Sequence, residues 1–230
     1  MKYDNVVEGI FISRPNRFIA KVQIDGKETV VHVKNTGRCR ELLVPGCTVY
    51  LEKSANTKRK TSYDLIAVVK RENNLLINMD SYAPNIAAYE WISKMASALA
   101  VEGAVVKREV AYGNSRLDLC VEGKKDTAFI EVKGVTLEQN GVALFPDAPT
   151  ERGVKHVKEL EKCVKDGYKA YVLFVIQMKG PKVFRPHEEM HREFARALWE
   201  AKKAGVGIIA VDCNITPDSM IIDSTIEVVV

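Results

Sequence analysis

Two carboxylates and an amine stand close together in two apolar segments of this 230-residue chain. Asp118 lies in SRLDLCV (115–121), and Glu131 and Lys133 lie in AFIEVKG (128–134). Both segments have the aliphatic and aromatic content of half-buried strands, where an ionisable side chain is costly unless something pairs with it. Residues 122–127 separate them, with Gly123, Lys124 and Lys125 among them. A two-residue turn at Lys124–Lys125 would close a hairpin with Asp118 opposite Glu131 and Arg116 opposite Lys133. Directly opposed residues share a face, and side chains alternate along each strand. Asp118, Glu131 and Lys133 therefore come to one face, and Leu117, Leu119, Ile130 and Val132 to the other. A turn of another length would stagger this pairing.

As a stabilising device the arrangement is poor, because opposed carboxylates repel. Burying one unpaired carboxylate costs several kcal/mol, against a folding margin of about 5–15 kcal/mol. A divalent cation removes the conflict: Mg²⁺ takes one or two carboxylates and completes its shell with waters and phosphate oxygens. Lys133 then stands where an amine can bind a phosphate or position an attacking water. The chemistry implied is metal-assisted hydrolysis of a phosphate ester.

The elements that position these residues divide into two groups. Residues 1–80 read as all-β, with strands in VVEGIFIS, FIAKVQID, ETVVHVK, CTVYLEK and YDLIAVVKR. Asp25–Gly26 marks a hairpin. Five short strands suit an OB-like five-stranded barrel, with an SH3-like barrel as the alternative, and GRCRELL reads as a helix plugging it. The polar stretch NMDSYAPN (78–85) marks the boundary. Beyond it, residues 81–230 read as an α/β domain with a mixed sheet. Helices are expected over 86–100, over 151–167 with Val154, Val157, Leu160 and Val164 buried, and over 188–205. Strands are expected in AVVKREVAY, in the two segments of the hairpin, in YKAYVLFVIQM and in VGIIAVD.

Residues 1–80 hold 14 Lys/Arg and 9 Asp/Glu, whereas the remainder is near balance. A basic first domain suggests a polyanionic partner. Arg14, Arg17, Lys34, Arg38, Arg40, Lys58, Arg59 and Lys60 are its candidate phosphate contacts, with solubilising charge as the ordinary alternative. Stacking aromatics are few, so the binding expected is electrostatic and tolerant of sequence. In the second domain Arg152, Lys155 and His156 are candidates for gripping a phosphate, or belong to a plain solvated helix face. Five cysteines without metal-knuckle spacing, no signal-peptide core and no long apolar run lead us to expect a cytoplasmic protein without a membrane partner.

The D…E-x-K pattern on a hairpin within an α/β unit resembles the PD-(D/E)xK nuclease superfamily. The resemblance implies that Asp118 and Glu131, helped by the Val132 carbonyl, hold Mg²⁺ or Mn²⁺ while Lys133 assists water attack on a phosphodiester. Glu109 is the candidate for the additional upstream acid that some members carry. Asp118 follows Leu117, not the proline of the motif's name. Across the chain, HVKNTGRCRELLVPG, KRKTSYDLIAV, SRLDL, FIEVKGVTL and FPDAPTERGVKHVKEL are similar to the sugar fermentation stimulation protein A family. That likeness implies DNA binding through an OB-like domain joined to a PD-(D/E)xK nuclease-like domain. The alternative it leaves open is a DNA-binding transcriptional regulator of sugar metabolism with a vestigial site. A homodimer is compatible with either. The HEEMH string (187–191) matches a zinc-protease pattern but sits after Pro186 with no third ligand following, and reads as a solvated helical turn.

Overall fold

A computed structural model describes residues 1–35, 37–94, 105–113 and 115–230. It divides the chain into two compact units. The first holds Met1–Ala83 with residues 177–179 and 213–221; the second holds Pro84–Ile176, Gly180–Asp212 and Ile222–Val230. No single cut separates them.

In the first unit β1 (Val6–Ser13), β2 (Ile19–Ile24), β3 (Lys27–Val33), β4 (Thr48–Lys53), β5 (Tyr63–Lys70) and β6 (Leu75–Asn78) run in the order β3-β2-β1-β4-β5-β6. A parallel pairing of β3 with β5 closes the first five into the OB barrel. Alternation fills its interior: Phe11, Val22, Val31, Val49, Leu51 and Leu65 are buried. Asp25 and Gly26, both at positive φ (49° and 78°), make the tight turn between β2 and β3.

The expected plug helix over GRCRELL does not form. Residues 37–43 make a turn, with the Leu43 amide donating to the Cys39 carbonyl at 3.0 Å, and Cys39, Leu42 and Leu43 still fill the barrel end. Arg14 explains the difference. Its guanidinium donates to the carbonyls of Arg17, Asn35, Gly37 and Arg38 at 2.6–2.8 Å, fixing the approach as a loop. The few residues left before Pro45 are too short to nucleate a helix.

The second unit carries α1 (Ala83–Lys94), α2 (Glu151–Lys165) and α3 (Arg192–Lys203) with a mixed sheet. Its strands are β7 (Val105–Tyr112), β8 (Ser115–Glu122), β9 (Thr127–Val135), β10 (Leu137–Gln139), β11 (Val142–Phe145), β12 (Lys169–Ile176), β13 (Val183–Pro186), β14 (Gly207–Thr216) and β15 (Ser219–Val228). The sheet order is β10-β11-β13-β15-β14-β12-β9-β8-β7, antiparallel through β7-β8-β9 and parallel through β9-β12-β14. This is the α/β arrangement with a mixed sheet that the sequence pattern leads one to expect. β12 is buried along most of its length, as its apolar run requires. The helix expected over 86–100 is present as far as Lys94, and residues 95–100 lie outside the described residues.

α2 starts at Thr150, whose hydroxyl accepts from the Gly153 amide at 3.0 Å, and stops at Gly167 (φ 88°). Its buried face is rotated by about one position from the expected valine stripe. Gly153, His156, Val157, Leu160 and Cys163 are buried, while Val154 and Val164 are half-buried. Gly153 sets the rotation: a Cβ there would come within 2.8 Å of the Thr150 side chain and 3.2 Å of the Phe194 ring. α3 begins at Arg192, not 188, because residues 188–190 form a separate turn and His191 is buried against Glu151 and Glu193.

Candidate metal centre

The hairpin of β8 and β9 has the expected register. Glu122, Val121, Cys120 and Leu119 pair with Thr127, Ala128, Phe129 and Ile130, and Gly123 bonds to Asp126 around Lys124–Lys125. The ladder then ends. The next pair, Asp118 with Glu131, is not hydrogen-bonded backbone to backbone. Instead Asp118 Oδ2 accepts the Val132 amide at 2.8 Å. The carboxylate thus occupies the place of a strand, and the hairpin opens where the acidic residues lie. N–H and C=O of one residue point to the same side of an antiparallel strand, so the Val132 carbonyl also faces this opening.

Leu117, Leu119, Ile130 and Val132 are all buried on the sheet's other face. Glu131 is 2% exposed, and its two oxygens differ sharply. Oε1 accepts from Lys133 Nζ at 2.6 Å and from His156 Nδ1. Oε2 is buried with no protein partner. On Asp118, Oδ1 accepts from Asn85 Nδ2 at 2.9 Å. Asn85, from α1, is a site residue that the sequence did not single out, although it ends the NMDSYAPN stretch.

The electrostatics separate the two acids. Burial, then the Glu131 charge, push the Asp118 carboxyl up to about 6, against the bonds from Val132 and Asn85. Glu131 feels the same burial, but the His156 hydrogen bond and the Lys133 ammonium overcome it and hold its carboxyl below the usual range. An orphaned buried oxygen beside a carboxyl that resists ionising fits a divalent cation: two carboxylate ligands, one backbone carbonyl, and solvent or substrate oxygens for the rest. Among the described residues no group of three or more His, Cys, Asp or Glu side chains is arranged to hold a metal. Glu109 is exposed, at the register position across β7 from Asp118, with positive φ (53°). HEEMH contributes no such group either.

The other candidates separate by what they touch. Arg14 is held by four carbonyls. Lys34 bridges Glu52 and Asp80 at 3.2 and 3.1 Å. Arg59 grips buried Asp64 with two bonds of 2.7 and 2.6 Å. These three, expected at a phosphate, hold the barrel together. Arg38, Arg40, Lys58 and Lys60 are exposed, and the exposed Arg17 guanidinium lies 5.4 Å from the centre of the exposed Phe18 ring. Lys155 and Arg152 are exposed on α2, whereas His156 is buried. A cleft of about 710 Å³ elsewhere in the unit, lined by Arg185, His187, Arg192 and Trp199 among others, contains none of the acidic residues of the hairpin.

Two family models match successive stretches of the chain: the SfsA N-terminal OB domain over residues 12–79 and the sugar fermentation stimulation protein RE domain over 82–219. The chain belongs to the sugar fermentation stimulation protein family. Homologues from Ruminiclostridium cellulolyticum and Clostridium beijerinckii are each 55% identical, covering 99% and 100% of both chains respectively. A solved structure of Pyrococcus furiosus SfsA in complex with Ca²⁺ is 30% identical, has a TM-score of 0.87, and covers 100% of this chain and 98% of that one. No helix among the described residues is long and apolar enough to cross a membrane. The five cysteines are buried and none is in a disulfide.

Proposed function

We propose that this protein is a divalent-cation-dependent phosphodiesterase acting on nucleic acid, DNA being the favoured substrate. The observation that carries the reading is Glu131 Oε2, buried and unpartnered next to a carboxyl pushed up to about 6. The Ca²⁺ bound by the Pyrococcus furiosus relative supports a site for hard cations with oxygen ligands. Asp118, Glu131 and the Val132 carbonyl would hold Mg²⁺ or Mn²⁺. Such an ion supplies Lewis acidity toward a phosphate oxygen and lowers the pKa of a bound water. Asn85 and the Val132 amide hold Asp118 in place. Lys133 sits beside Glu131 with its ammonium available to an attacking water or to charge growing on the phosphate. The exposed cations Arg17, Arg38, Arg40, Lys58 and Lys60 give the barrel its affinity for a phosphate backbone, with little dependence on base sequence.

The test is cleavage of single-stranded DNA, duplex DNA, RNA and DNA–RNA hybrid in Mn²⁺ by wild type and Asp118→Ala. Activity on any of the four that is lost in the variant supports the proposal; equal inertness of both proteins overturns it. The exposed barrel cations also favour a second reading, a DNA-binding regulator whose acidic pair no longer catalyses. That reading predicts salt-sensitive DNA binding with no Mn²⁺ affinity.

A further inference from the structure

His156 reads in sequence as a candidate to grip a phosphate, but its surroundings assign it other work. It is 7% exposed, on the buried face of α2. Both ring nitrogens already have partners within the protein. Nδ1 contacts Glu131 Oε1, and Nε2 takes the Arg152 Nε–H at 3.3 Å. An arginine can only donate, so Nε2 must be the unprotonated nitrogen and the ring proton sits on Nδ1, directed at Glu131. The oxygens of an ionised phosphodiester carry no proton and only accept, so such a group would compete with Glu131 for that proton and find nothing at Nε2.

The result is a directed chain from Arg152 through His156 to Glu131 Oε1. Lys133 loads the same oxygen at 2.6 Å. With two donors on Oε1 the carboxylate cannot turn freely, and Oε2 is left bare. We propose that His156, held by Arg152, is a positioning residue that locks Glu131 so that Oε2 alone is presented to the cation. The inference rests on the cation reading above and adds which residue orients the ligand. Partners of this kind behind a metal ligand affect affinity by roughly 10–100-fold when removed. The build of α2 suits this role. Thr150 caps the helix, and Gly153 lets its first turn pack closely enough to bring His156 to β9.

The decisive experiment is Mn²⁺ titration calorimetry on chelator-stripped protein without nucleic acid. His156→Leu removes the donor, and Mn²⁺ affinity is expected to fall by roughly 10–100-fold. His156→Asn places an amide N–H near the position of Nδ1 and is expected to restore most of the affinity, which a purely structural role would not predict. Nitrogen-15 spectra of the metal-free wild type should show His156 protonated at Nδ1 and bare at Nε2. A proton on Nε2 overturns the proposal. So does a His156→Leu protein that binds Mn²⁺ like wild type yet loses oligonucleotide affinity, since that is the phosphate-grip pattern. Should His156→Leu fail to fold, Arg152→Gln at its exposed position decides: weakened Mn²⁺ binding supports the chain, and unchanged binding overturns it. A wild type without Mn²⁺ affinity has a different signature and removes the cation reading itself.

Discussion

Asp118 and Glu131 carry the same charge in the same place, yet the protein treats them oppositely. Asp118 has a folded value of about 6, above the ordinary 3.8 of an unfolded aspartate. A group raised in this way contributes stability fully below its unfolded value, and the contribution is lost as pH rises through about 6. Glu131 is lowered from 4.5, so its contribution is present above that value and is lost as pH falls through the depressed one. The combined contribution of the pair in the metal-free protein is therefore greatest near pH 4, between the two unfolded values of 3.8 and 4.5, and declines as pH rises toward about 6. A shift of two units corresponds to about 3 kcal/mol. Asp118→Asn keeps an acceptor for the Val132 amide and removes the charge. In chelator at pH 8 the variant is expected to be more stable than wild type by up to that amount; the gap should shrink to about half at pH 5 and close only below the unfolded value of 3.8. Mn²⁺ should raise the melting temperature of wild type at pH 8 and leave that of the variant unchanged. Coincident melting curves at pH 8 would show that burial does not penalise this carboxylate.

The same sorting applies to whole elements. KRK at 58–60 reads in sequence as one basic cluster, but the loop before β5 divides it. Arg59 turns inward to Asp64, 3% exposed, which also accepts from His32 Nδ1 at 2.7 Å. Burial pushes the Asp64 carboxyl up, but the Arg59 and His32 hydrogen bonds outweigh it and hold it below the usual range. Arg59→Ala leaves a buried carboxylate short of its main partner and is expected to cost about 3 kcal/mol. The sign is that of a depressed acid, so the loss should be present at pH 7 and fade as pH falls through the folded value. Lys58→Ala and Lys60→Ala should leave denaturant midpoints unchanged within about 0.5 kcal/mol. Each should instead reduce the salt dependence of oligonucleotide binding by about one unit of slope. Equal effects of all three on stability would refute the division. This marks what sequence reading can reach. Strands with clean alternation, the Lys124–Lys125 register and the capped α2 are local patterns, and they are legible. β6, β10, β11 and β13 have three or four residues each, too few to show a period, although Asn140–Gly141 marks the β10–β11 turn. β15 mixes Asp223 and Glu227 into its apolar run and hides its alternation. The inward turn of Arg14, Lys34, Arg59 and His156 depends on partners outside the local pattern, several of them remote in sequence, such as Asp80 for Lys34 and Glu131 for His156.

For the whole molecule, the interleaving of the chain decides what can be separated. The barrel unit draws on residues 177–179 and 213–221. Gln177 Nε2 donates to the Asn78 carbonyl, Asn78 Oδ1 and the Asp80 carbonyl at 3.0–3.1 Å, and the Gln177 carbonyl accepts the Asn78 amide at 2.9 Å. Asn78, 1% exposed, in turn donates to the Tyr3 hydroxyl at 2.8 Å, and that hydroxyl donates to Asp80 at 3.3 Å. The Tyr3 amide bonds to the Asp218 carbonyl at 2.8 Å. A fragment ending at residue 80 retains every barrel strand but loses the far half of this network. Each buried polar group left without a partner costs about 1–3 kcal/mol. Losing several consumes most of the roughly 5–15 kcal/mol by which a domain is stable. The fragment 1–80 is therefore expected to show poorly dispersed amide spectra, even though a barrel of that length often folds alone. Gln177→Leu in the full chain isolates the cause: it removes only the amide, and should lower hydrogen-exchange protection at Asn78 and along β6 while sparing β1 and β2. A well-folded 1–80 fragment, or unchanged protection of β6 in Gln177→Leu, would mean that the barrel's stability is complete within its own strands.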